Sequence, residues 1–129
     1  MRKFAKIAVR TVLILIAICL LLVLVIRSLF IVSPMSTDSM RPLIATNDIV
    51  VAAKWFHMAS LRAGDLVVAD IPIPKGRVLT IRQIEQQPNI PAGQFYLRAV
   101  NTNGIDSRQF GALPAKDIRG RVIWIMKGN

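Results

Sequence analysis

A mostly β, antiparallel domain on a single N-terminal transmembrane helix is the fold this sequence predicts. Three observations predict it. Thr11 to Ile26 is an uncharged apolar run. Behind it come short β-branched segments punctuated by Pro, Gly and Asn. No later stretch holds a helical period long enough to build a second helix of consequence. Of 129 residues, an anchor leaves about 100 for one small core.

The chain divides into a basic tail over 1–10, an anchor over 11–31 and a β domain over 32–129. Thr11 to Ile26, extended past Arg27 by Ser28 to Val32, approaches the ~20 residues that span a bilayer, with Arg27 snorkelling to the outer interface. Arg2, Lys3, Lys6 and Arg10 precede it, which predicts a cytoplasmic amino end and an exported remainder. A cleavable signal peptide has a similar start. No small-x-small site follows Ile26, however, so the segment reads as an uncleaved anchor. Strands are expected over Ile49–Ala53, Leu66–Ala69, Val78–Ile84, Gln94–Val100 and Arg121–Met126. Ile71 to Gly76, with two prolines, reads as a connection, Pro88 to Gly93 as a turn region and Asn101 to Gly104 as a loop.

Lys and Arg outnumber Asp and Glu by 17 to 7, a net charge of +10. A membrane protein's positive flank and a basic surface near anionic head groups account for it. Nucleic-acid binding is disfavoured: the basic residues are scattered, no reader motif occurs and aromatics are only 6%. The single cysteine, Cys19, lies in the apolar run and excludes an internal disulfide.

The motif content lies just beyond the anchor. Ser39-Met40-Arg41-Pro42 is followed by Asn47-Asp48-Ile49-Val50, then Gly64-Asp65-Leu66-Val67-Val68, and finally Ile105-Asp106-Ser107-Arg108-Gln109-Phe110-Gly111 with Ile118-Arg119-Gly120-Arg121 behind it. In this order, behind an anchor of this orientation, the boxes resemble those of type I signal peptidases, the membrane Ser/Lys proteases that clip export signals. The resemblance implies a signal-peptidase-like antiparallel β domain with Ser39 as nucleophile. It further implies an oxyanion site from the Ser39 N–H and the Thr37 hydroxyl, and support from Asp106 and Arg108. It implies neither cofactor nor metal. The partners it implies are the signal peptides of exported precursor proteins, cleaved after small residues, and the lipid bilayer of the inner or plasma membrane.

Two departures bear on the chemistry. The family's lysine box is best matched by Ile81-Arg82-Gln83-Ile84, with Pro88 in register, so Arg82 stands where the general-base lysine belongs. The serine that orients that lysine corresponds to Gly104, and the family's Gly-Asp-Asn to Ala99-Val100-Asn101, where only Asn remains. A serine attacks an amide only when its proton is removed. Guanidinium stays protonated, with a pKa above ~12, and offers no acceptor. An unassisted serine with an oxyanion site retains ~10³–10⁴ over water. Lys75, before Gly76-Arg77-Val78, is an alternative base or else a solvated loop lysine. His57 does not match the lysine position and reads as a surface or membrane-interface residue. Met40, Trp55, Phe56 and Trp124 read as core or membrane-interface residues.

Two function classes follow. One is a membrane-anchored serine endopeptidase whose base is unconventional or supplied by a partner. The other is a catalytically impaired relative that binds signal peptides, or assists an active peptidase or a secretion or assembly machine. A plain basic, lipid-facing domain would explain the charge but not the ordered boxes.

Overall fold

The computed structural model describes all residues except His57, Asn129 and the side chain of Met58, so the expectation for His57 lies outside the described residues. Helix α1 runs Arg2–Leu29 with none of its residues buried. Its best 18-residue window has a mean hydropathy of 3.2. At ~1.5 Å per residue its 28 residues extend about 42 Å, more than the hydrocarbon core of a bilayer. The helix is thus long and apolar enough to cross a membrane. It stops where Phe30 turns extended, and Phe30 N–H still bonds back to Ile26 O. Lys54 meets the carbonyls left over at this end: its backbone N–H donates to Leu29 O at 2.7 Å and its Nζ to Arg27 O at 3.1 Å.

Seven antiparallel strands form one sheet in the order β1-β2-β7-β3-β4-β5-β6. They are β1 Phe30–Pro34, β2 Ile49–Ala53, β3 Leu66–Ile73, β4 Gly76–Glu85, β5 Gln94–Arg98, β6 Leu113–Pro114 and β7 Ile118–Met126. A short helix, α2, spans Ser107–Phe110. The expected mostly β, antiparallel fold behind one apolar helix is therefore observed.

The differences from the expected elements have physical reasons. Phe30 and Ile31 read as the end of the anchor because they are apolar, yet they pair with Ala53 and Ala52 and begin β1. Strand β3 runs through Pro72 instead of ending at Ala69. Its other neighbour, β7, pairs only as far as Ala69, so no ladder partner lies on that side for Pro72 to lose. The connection shrinks to Pro74-Lys75, closed by Gly76 at φ +138, a conformation that favours glycine. Strand β5 stops at Arg98 because the Ala99 N–H turns to the Asp106 carboxylate, at 2.7 Å.

Two apolar clusters flank the sheet. Val67, Ala69 and Ile71 of β3 pack with Leu61, Ile84, Leu97, Leu113 and Ile118. Val68 joins Met35, Met40, Ile44, Val50, Ala52 and Ile81. Alternate residues of β3 thus enter different clusters, and both its faces are covered. Met40 is fully buried and Phe56 packs against the first cluster, whereas Trp55 and Trp124 are exposed.

Candidate functional site

The Ser39 loop is held from both sides. Met35 N–H donates to Asp48 O at 2.8 Å and Asn47 N–H to Met35 O at 2.9 Å, closing its base. Met40 and Ile44 plug it into the core. The buried Asp48 carboxylate accepts from Ala45 N–H, Gly128 N–H and Lys127 Nζ at 2.9, 2.8 and 3.1 Å, fastening the loop to the end of β7. These bonds, Ala45's first, hold Asp48 below the ordinary carboxylate range. At the loop's top, Asn101 donates its backbone N–H to Ser39 O at 2.8 Å and its Nδ2 to Asp38 O at 3.1 Å. Asp38 in turn is held below its ordinary pKa by the Thr46 hydroxyl, 2.6 Å away, and by Arg41.

These anchors bring three of the expected site residues together. Thr37 Oγ1 and Ser39 Oγ are 3.1 Å apart. Arg82 Nη1 donates to Ser39 Oγ at 3.1 Å. The Arg82 side chain is otherwise held within the domain: Nε donates to Ile105 O at 2.8 Å, and Nη1 also to Ile81 O at 2.6 Å and Thr80 Oγ1 at 3.2 Å. Arg82 is only 4% exposed. Burial pulls its pKa below the ordinary value while Asp106 pulls it back up. A guanidinium starts so high that it stays charged in neutral water. Chemically it can hold the Ser39 oxygen and stabilise negative charge there, but it cannot accept the proton.

Gly104 lies beside these residues for a steric reason. A Cβ at this position would stand 2.5 Å from Ala99 Cβ and 2.9 Å from Ser39 Cβ. The space a side chain at 104 would need is occupied by the methyl of Ala99.

Asp106 and Arg108 form the support beneath. Asp106 is fully buried, caps α2 by accepting from Arg108 N–H at 2.9 Å, and receives Arg108 Nε at 2.9 Å. Its own N–H donates to Gln109 Oε1, completing a capping box. Burial acts to raise its pKa, but the bonds from Arg108 and Ala99 outweigh it and the net shift is downward. Ser107 Oγ accepts from Leu97 N–H at 2.8 Å, so the box locks the 105–111 segment onto β5. Lys75, by contrast, is exposed at the β3–β4 turn. Six strand residues at ~3.3 Å each put the start of β4 about 20 Å from Arg82, beyond a lysine's reach. The structure does not bring Lys75 to the site. Sequence reasoning passed over Thr80 and the Asn101 clamp. Thr80, two residues before Arg82 on the same strand, was findable from the period-2 rule.

Above Ser39 and Arg82 opens a mostly apolar pocket of about 380 Å³, walled by Ile31, Val68, Ile71, Leu79 and Ile81. One edge of β4 borders it unpaired, since β5 takes up β4 only from Gln83 to Glu85. Among the described residues no cluster of three or more His, Cys, Asp or Glu is placed to hold a metal.

Residues 75–127 match the family model described as signal peptidase, peptidase S26. The match takes in Arg82, Asp106 and Arg108 and starts beyond the Ser39 loop. No curated protein matches the chain.

Proposed function

We propose, from the match of residues 75–127 to the signal peptidase, peptidase S26, family model, that this chain is a membrane-anchored, signal-peptide-recognising relative whose serine is not activated for ordinary turnover. The observation that carries this reading is the 3.1 Å contact from Arg82 Nη1 to Ser39 Oγ. A neutral amine there would take the serine proton. A guanidinium offers only donors, and the site has no room for an orienting side chain at Gly104. What remains suits binding: a free β4 edge able to pair with an extended peptide, and a mostly apolar pocket of about 380 Å³ beside it. Helix α1 serves as the anchor, with Arg2, Lys3, Lys6 and Arg10 on the cytoplasmic side and the β domain outside the inner or plasma membrane. Exported precursors are its substrates or ligands, and an active peptidase or a secretion or assembly machine is the partner it would assist.

The endopeptidase reading rests on a different observation. Thr37 and Ser39 hydroxyls stand 3.1 Å apart at the pocket floor, where an oxyanion site belongs. Incubating the detergent-purified full chain with a preprotein bearing an Ala-x-Ala site separates the two. The expected outcome is binding of the signal peptide with little or no cleavage. Efficient cleavage that Ser39→Ala abolishes would establish the endopeptidase instead.

A further inference from the structure

Arg82 presents a problem of charge. It is 96% buried, given its 4% exposure, and no carboxylate lies within 4 Å of it among the described residues. Buried charges in proteins are ordinarily paired, because desolvating an unpaired ion is expensive. The nearest candidate, Asp106, is already engaged by Arg108 at 2.9 Å and Arg98 at 3.6 Å. Glu85 is taken by Arg98 at 3.0 Å. Three guanidiniums (Arg82, Arg98, Arg108) therefore share two carboxylates (Asp106, Glu85), leaving one positive charge in excess. The unpaired member is the one that lines the pocket. Its Nε and Nη1 are spent on Ile105 O, Ile81 O, Thr80 and Ser39, whereas Nη2 donates to no protein acceptor among the described residues. Nor is Nη2 sealed in the interior, where Arg98 Nε is the buried nitrogen lacking a hydrogen bond.

The position of this charge along β4 says what kind of anion fits. The open edge of the strand ends at Arg82, because β5 pairs from Gln83 onward. An extended peptide laid along Val78–Thr80 has to stop at the guanidinium. An ammonium end would be repelled there; a carboxylate end would be held, with Ser39 and Thr37 hydroxyls beside it. From these observations we infer that the Arg82 pocket binds the C-terminal carboxylate of a peptide ending in apolar residues, the peptide running parallel to β4. The chain thereby recognises the free end of an already cleaved segment in preference to an intact bond. This inference rests on the peptide-recognition reading above and narrows its ligand.

The test is titration of the full-length chain in non-ionic detergent with two peptides of one sequence ending in Ala-x-Ala, one a free acid and one a C-terminal amide. The acid is expected to bind about ten-fold or more tightly. Arg82→Gln is expected to erase the difference between acid and amide. Equal affinity of acid and amide for the unaltered chain overturns the inference and leaves peptide recognition standing. Binding of neither peptide brings down both. Arg82-dependent binding of dodecanoate without the peptide acid would give the carboxylate site to a fatty acid and also overturn the inference.

Discussion

Ala99 and Gly104 illustrate how one methyl group redirects a site. The resemblance in sequence would set these places against the family's glycine and serine; this chain has alanine and glycine. With Ala99 present, a Cβ at 104 would lie 2.5 Å away. Gly104→Ser alone is expected to cost about 1–3 kcal/mol by overpacking, and adding Ala99→Gly should recover much of that. Thermal unfolding of single and double variants in detergent reads this directly, and purely additive losses would contradict it. Asp106 sets the second case at this scale. Its removal leaves the Ala99 N–H and the Arg108 N–H and Nε without their acceptor and takes a counter-charge from Arg98, so Asp106→Ala should cost about 3 kcal/mol or more. The folded pKa values of Asp48 and Asp106 both lie below the ordinary 3.8. Their contribution is therefore complete above that value and lost as pH falls through the lower folded values. The midpoint of unfolding should be flat from neutral pH to about 5 and fall below about 4; a rise on acidification would contradict the clamp assigned to them.

Elements explain how the serine loop is held in place. Residues 35 to 48 contain little regular structure, and their order comes from Asp48, Asn101 and the buried Met40 and Ile44. The β3–β4 hairpin supplies Arg82 and the free edge together, so both are positioned by one register in which Val67 faces Arg82. Helix α1 contributes no buried residue, which makes a membrane the environment that would cover it. Ile18→Arg, near its middle, should weaken insertion by about 2.5–3.5 kcal/mol. Carbonate extraction of membranes is expected to release the variant and retain the unaltered chain. Strand β1 shows the limit of reading elements from composition. Phe30 to Val32 extends the apolar character past Arg27, and only pairing with β2 makes Phe30–Pro34 a strand.

At the scale of the whole molecule, the sheet brings residues 37, 39, 82 and 104 from three separate segments to one pocket. A recovered base should therefore need the whole arrangement. Arg82→Lys with Ala99→Gly and Gly104→Ser is expected to raise Ser39-dependent preprotein cleavage above that of Arg82→Lys alone, because burial would lower the lysine pKa and the new hydroxyl would orient it. Equal activity of the two would mean that Gly104 is not what withholds catalysis. The sequence by itself determined the apolar helix, the β-rich remainder, the ordered boxes and an arginine at position 82, since hydropathy, turn residues and side-chain chemistry are local properties. The tertiary structure decided the rest. It kept Lys75 away by distance, filled the space at Gly104 with a methyl from 99, and left Arg82 as a buried cation with no carboxylate within 4 Å among the described residues. Packing and charge pairing depend on which distant residues meet, and no spacing along the chain records that.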